Sequence, residues 1–212
     1  MRIEKGETVE KRDNYQIQAG QAKQRFLTYD QERLIRKLNA TADKSYIFVS
    51  LLGEPYRLDR KTGDIQRCEG GQWVDGNSFA EVMTILDLVC DSREDRYISG
   101  RWKSMGQFGM QFHQNLLEDE RDKVADLFDA DPESLHRACK AVGGREIPGA
   151  DISYAVELFD GLEIGVQFWH GDDEFYPRLR YLWDENALQY IRYETMYYAV
   201  GLLRQRLSEK RK

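Results

Sequence analysis

The sequence predicts an α+β domain: antiparallel hairpins, helices grouped on one face of them, and a long C-terminal helix packed across. Three stretches carry that expectation. Residues 151–169, DISYAVELFDGLEIGVQFW, alternate apolar and polar side chains on either side of Asp160-Gly161, as a strand pair does. In NSFAEVMTILDLVC, residues 77–90, Ser78 stands three residues before Glu81 as in a capping box, and Phe79, Val82, Met83, Leu86, Val89 and Cys90 follow at helical spacing. Asp184 can cap a helix running from Glu185 to about Arg206.

The remaining elements follow in chain order. Residues 1–44 are polar with scattered Phe26, Leu27, Leu34, Ile35 and Leu38, which reads as a helical N-terminal extension laid on a core at 45–208, the whole being one domain. SYIFVSLL, residues 45–52, has apolar residues on both alternating faces, as a strand covered on both sides would. In YRLDRKTGDIQR, Leu58 and Ile65 can pair across a turn at Arg60 to Gly63. ISGRWKSMGQFGMQF, residues 98–112, is glycine-punctuated and aromatic, hence a loop or a strand-to-helix junction. A helix from Glu120 to Phe128 precedes one capped by Asp131, with Pro132 at its first position, ending at Gly143-Gly144. For the strand pair, a two-residue turn would mix the two faces, so matched faces predict a three-residue loop of Phe159, Asp160 and Gly161, with Leu158 opposite Leu162, Val156 opposite Ile164 and Tyr154 opposite Val166. RLRYLWD, residues 178–184, supplies a third strand.

Composition narrows the function classes. With 41% hydrophobic and 32% charged residues the chain can bury a core, and no apolar run approaches the roughly 20 residues that cross a bilayer. The polar start and the three scattered cysteines, Cys68, Cys90 and Cys139, point to free thiols in the cytoplasm and to no membrane. Charge is uneven: residues 1–39 carry +3 and residues 203–212 carry +4, so the net −6 leaves −13 on residues 40–202. A body that acidic repels phosphate backbones, which argues against nucleic acid as a partner.

Candidate chemistry concentrates late in the chain. FWHGDDEFYP, Phe168 to Pro177, sets aromatics and His170 beside Asp172, Asp173 and Glu174 between the second and third strands. At most two of the three carboxylates can converge in extended chain, where they would suit a hard cation; zinc would want His170 and more nitrogen or sulfur nearby. The alternative is an acidic turn that keeps a strand end solvated. Glu194 has Tyr190, Ile191, Tyr197 and Tyr198 as one-turn neighbours on a helix, surroundings that would desolvate it and fit it for proton transfer; the alternative has it held by a tyrosine hydroxyl or by Arg180. His136 and Cys139, three apart on one helix, could share a metal but lack a second pair, and His113 beside Gly106 and Gly109 could act as a base without any accompanying nucleophile motif.

These residues carry a resemblance. LLGEPYRLDRKTGDI, ISGRW before a glycine-aromatic segment, a strand pair entering FWHGDDEF, and LWDENALQYIRYET together resemble a bacterial family catalogued as a domain of unknown function, number three-seven-eight-six, over roughly residues 45–205. The resemblance implies an anaerobic setting, and some relatives look like two-module proteins with a cysteine-rich iron-sulfur segment of the kind seen beside corrinoid proteins; residues 1–44 hold no such segment. It also implies that Asp173, Glu174, Asp184 and Glu194 match acidic positions of the motif. The family pattern places proline directly after the phenylalanine of its acidic turn, whereas Tyr176 here intervenes before Pro177.

Two functional expectations follow, in different classes. One is a binding module whose pocket, formed by Trp169, Asp173, Glu174, Phe175, Asp184, Glu194 and Tyr198, holds a small cofactor or metal-associated ligand such as cobalamin, haem or a metal ion. The other is a protein-interaction domain that uses exposed aromatics such as Trp102, Trp169 and Tyr176 to anchor a redox or corrinoid partner. A hydrolase or lyase with Glu194 as general base is a third reading.

Overall fold

The computed structural model describes residues 4–109 and 122–211, with side chains from Asn14 onward. Helices α1 (Glu4–Leu27) and α2 (Gln31–Leu38) lead into strands β1 (Thr41–Ala42), β2 (Tyr46–Leu51), β3 (Glu54–Asp59), β4 (Ile65–Glu69) and β5 (Gln72–Asp75). Helix α3 (Phe79–Asp91), strand β6 (Trp102–Ser104) and a short 3-10 turn (Met105–Phe108) come next. The second half holds α4 (Lys123–Ala130), α5 (Pro132–Ala141), β7 (Arg145–Glu146), β8 (Ile152–Phe159), β9 (Leu162–Trp169), β10 (Arg178–Asp184) and α6 (Tyr193–Lys210). The architecture is α+β, with the strands divided between two antiparallel five-stranded sheets, ordered β1-β2-β3-β4-β5 and β6-β10-β9-β8-β7.

Local signals built several of these elements as expected. Ser78 and Glu81 form the reciprocal capping box of α3, and Asp131 caps α5 with Pro132 in its first turn. Leu58 pairs with Ile65 across the β3–β4 turn. Residues 98–109 form a strand-to-helix junction, β6 running straight into the 3-10 turn. Helix α4 begins at Lys123 behind the cap of Asp122 and extends to Ala130, past the expected end at Phe128.

Three expectations are corrected. Strand β2 is covered on one face only: Ile47 and Leu51 are buried while Ser50 is exposed and Tyr46 and Phe48 are half-buried. The outward face is shielded by neighbours instead, since the Arg57 guanidinium lies 4.1 Å from the ring centre of Tyr46 and 4.6 Å from that of Trp73. Second, the β8–β9 turn contains only Asp160 and Gly161, both at positive φ, and Phe159 pairs with Leu162. The matched faces survive because the extra residue sits in the strand as a bulge at Leu158, so Val156 still faces Ile164 and Tyr154 still faces Val166. Third, the last helix starts at Tyr193, not at Glu185, because a 3-10 turn (Ala187–Gln189) intervenes and Asp184 binds elsewhere.

The bulge also joins the two sheets. The β2–β3 turn places Leu52 and Gly53 at φ 51° and 74°, the double left-handed geometry of a tight hairpin. For Leu52 that geometry costs on the order of 1 kcal/mol, offset by its complete burial and by its N–H donating to the carbonyl of Leu158 at 3.0 Å.

Helix α6 packs on α3 and α5 and is held by three arginines. Arg192, at its N-cap, donates its backbone N–H to Asp87 Oδ2 at 2.8 Å. Arg204 grips Asp122 through two bonds of 2.7 and 2.6 Å. Arg206, buried, bonds Tyr56 Oη at 3.0 Å and Glu54 at 3.0 Å, beside Glu81 at 3.6 Å. Burial and the Glu81 carboxylate push the Tyr56 hydroxyl up to about 12.

Candidate functional site

The β9–β10 loop, residues 170–177, is built from its own first residues. Trp169 and Arg178 close the strand pair, and His170 donates its backbone N–H to Asp151 Oδ2 at 2.9 Å while its Nδ1 lies 2.8 Å from Asp129 Oδ1. The His170 ring meets Phe168 edge-on at 5.1 Å. Gly171 permits the close return of the chain, because a Cβ there would sit 2.8 Å from Pro177 Cδ. Asp172 then folds the tip on itself: its Oδ1 accepts the N–H groups of Glu174 at 2.8 Å and Phe175 at 2.7 Å, and its N–H donates to the Phe175 carbonyl at 2.9 Å. Those two amide donors hold the Asp172 carboxyl below the usual carboxylate range.

A tip braced in this way leaves its other side chains in water. Asp172, Asp173 and Glu174 are all exposed, and Phe175 and Tyr176 are 69% and 60% exposed. Trp169 is half-buried at the loop's base. Tyr176, before Pro177, adds a second ring to the tip.

The other expected site residues lie elsewhere. Asp184 ends β10, about 20 Å along the strand from the acidic tip. It is 4% exposed, and its carboxylate gathers the segment before β6: it accepts from Ser99 N at 3.2 Å, Ser99 Oγ at 3.1 Å, Gly100 N at 2.7 Å and Asn186 N at 2.8 Å. Glu194 is exposed in the first turn of α6 and not desolvated. Tyr198, one turn on, packs edge-on against Phe79 at 5.0 Å, and Phe79 in turn meets Tyr15 of α1 at 4.6 Å. The acidic loop thus leans on α4, while Glu194 and Tyr198 belong to the α1–α3 side. Trp169, Asp173, Glu174 and Phe175 share the end of β9 and its loop, Glu194 and Tyr198 lie one turn apart on α6, and Asp184 stands away from both groups.

Metal ligation finds little support in this geometry. His136 Nδ1 is 2.8 Å from Tyr154 Oη, and burial pushes the Cys139 thiol up to about 12. Among the described residues no group of three or more His, Cys, Asp or Glu side chains could hold a metal ion. Trp102 is half-buried, near the face of Gly165. His113 lies outside the described residues.

A family model described as a domain of unknown function, DUF3786, matches residues 30–206. The chain belongs to this family. The DUF3786 segment opens at Asp30, the cap of α2, and closes at Arg206, so it takes in both sheets and the buried arginine that ties α6 to the first of them. No curated protein and no solved structure matches the chain. No described helix is long and apolar enough to cross a membrane.

Sequence reasoning missed two groups. The carboxylates Asp87 and Asp91 of α3 meet Arg192 and Arg25, and a cavity of about 360 Å³ opens between α2 and the end of α3. Each is assembled from segments far apart in the chain. The legible signal was Asp87 itself, a charged residue on an otherwise apolar helical stretch.

Proposed function

We propose that this DUF3786 domain is a protein-interaction module that docks a partner through the β9–β10 loop. The observation that carries the reading is the pair Phe175 and Tyr176, more than half exposed on a loop braced by Asp172, Gly171 and the His170–Asp129 contact. Rings held ready in water lose little conformational freedom on binding, and burying each is worth roughly 1.5–3 kcal/mol. Three carboxylates beside them select a partner with an apolar cleft and a basic rim. The resemblance implies the kind of partner: a redox or corrinoid protein of anaerobic metabolism.

The exposed position of Glu194 favours this reading over a hydrolase or lyase that would use it as general base. The test is a photo-crosslinking residue at position 175, with the same residue at exposed Lys61 as control. Adducts specific to position 175 identify the partner. Binary binding of the purified pair should then weaken at least tenfold for the Phe175→Ala, Tyr176→Ala double variant. Equal labelling at both positions, or an unchanged affinity, removes the proposal.

A further inference from the structure

At the opposite end of β10 from the docking loop, three apolar side chains stand in water: Tyr97 is 61% exposed, Ile98 42% and Leu188 44%. They come from two segments far apart in the chain, the one before β6 and the turn after β10, and hydrogen bonds join these segments at several points. Tyr97 donates its N–H to Gln189 Oε1 at 3.2 Å and its carbonyl accepts from Asn186 Nδ2 at 3.3 Å, so the turn that carries Leu188 holds it on both sides. Arg93 donates its N–H to the Gln189 carbonyl, and Glu185 donates its N–H to the Arg101 carbonyl, both at 2.8 Å. The buried Arg96 side chain anchors the same loop, with Nε 2.9 Å from Asp160 and the guanidinium 5.6 Å from the ring centre of Tyr190. Side chains on a backbone held in this way lose little conformational freedom when a partner covers them.

Charge identifies the occupant. Residues 93–103 and 184–189 together carry four basic and four acidic side chains, net zero, whereas residues 40–202 as a whole carry −13. The exposed charges are paired within the patch, Arg93 with Asp95 at 2.7 Å and both Arg101 and Lys103 with Glu185. Two copies of so acidic a chain repel each other across most of their surface, but not here. A basic partner gains no attraction from a neutral rim, while a second copy meets that rim without opposing like charges.

We propose that this patch is a self-association surface, on which two copies of the chain meet about a two-fold axis with Tyr97, Ile98 and Leu188 of one against the same three side chains of the other. A patch of a few hundred Å² falls short of the roughly 800 Å² that each partner buries in a standard interface, so the dimer is a weak one that forms at high protein concentration.

The experiment is sedimentation equilibrium of the whole chain between about 10 µM and 1 mM, at about 0.15 M salt to screen the repulsion between the two acidic bodies. The weight-average mass is expected to rise from 24.9 kDa towards twice that value. Ile98→Glu and Leu188→Glu each place like charges on both sides of the axis, and each should weaken association about tenfold or more. Both side chains are exposed, so the melting temperature of the dilute variants should stay within about 2 °C of the parent's. The Phe175→Ala, Tyr176→Ala double variant should associate as the parent does, which separates this surface from the docking loop. A mass that stays at 24.9 kDa throughout overturns the proposal. So does association that both glutamate variants leave unchanged, or that the docking-loop variant abolishes.

Discussion

Removing the Asp184 carboxylate should destabilise the fold by an amount that can be worked from its partners. The group is 4% exposed and accepts four hydrogen bonds, three of them from backbone N–H groups at Ser99, Gly100 and Asn186. Asp184→Ala leaves those donors without their acceptor. A buried donor so stranded costs roughly 1–3 kcal/mol, and the lower end applies because Ser99 and Asn186 are half-buried and Gly100 is exposed, so water can reach them. The expected loss is about 3–4 kcal/mol, which in a chain of this size lowers the melting temperature by roughly 6–16 °C. Asp184→Asn keeps one oxygen for Ser99 and Asn186 but sets an amide N–H against that of Gly100, so it should fall between, at about 1–2 kcal/mol. Calorimetry gives the order, and hydrogen exchange at Gly100 and Asn186 shows whether the loss is local. A shift under about 2 °C for the alanine variant, or no difference between the two variants, would refute the assignment of Asp184 as the organiser of this segment.

Other perturbations test other parts of the fold. Gly165→Ala brings a Cβ to 3.0 Å from Leu182 Cβ and 3.4 Å from the Trp102 ring; overpacking at a central strand should cost about 1–3 kcal/mol in chemical denaturation. Arg206→Met strips the buried carboxylate Glu81 and the half-buried Glu54 of one partner, with Arg67 remaining, and should cost about 3 kcal/mol, part of which Glu81→Gln restores in a double-mutant cycle. Burial raises the Asp87 carboxyl from 3.8 to about 6, while the Arg25 guanidinium keeps Asp91 low. Because the folded state holds the Asp87 proton more tightly than the unfolded one, the stability this gives is full below about pH 4 and is lost as pH rises through about 6. Asp87→Asn lacks that loss, so its stability relative to the parent should improve between pH 4 and 7 in urea titrations; a relative stability independent of pH contradicts the shift.

Signals written within one helix or one short hairpin were legible in the sequence: the Ser78–Glu81 box, Asp131 with Pro132, and the pairing of Leu58 with Ile65. Away from the turn the β8–β9 register was legible too, since matched faces decide Val156–Ile164 and Tyr154–Val166; at the turn Phe159 and not Leu158 faces Leu162, because the alternation of side chains says that one residue must be absorbed, not whether turn or strand absorbs it. Which strands share a sheet is set by contacts the local pattern does not contain, so two sheets could not be told from one. At the site, helical spacing gave Tyr197 and Tyr198 as neighbours of Glu194, but Tyr190 and Ile191 precede the start of α6 at Tyr193, and spacing says nothing of which stripe faces water. Asp184 was read as a helix cap because its best partners, Ser99 and Gly100, lie in a segment far back in the chain. The exposed tip at 172–176 was the part of the acidic stretch that local chemistry alone could describe.

The three arginines that hold α6 bear on how the protein is made. Translation delivers Glu54, Glu81, Asp87 and Asp122 before Arg192, Arg204 and Arg206, and at roughly 5–20 residues per second the delay for Glu81 is on the order of ten seconds. Through that interval Glu54 and Glu81 have Arg67 but not Arg206, while Asp87 and Asp122 wait for Arg192 and Arg204. The contacts of α6 with α3, α5 and Glu54 of the first sheet can form only once that helix has left the ribosome, so those parts of the fold are closed by residues made well after them.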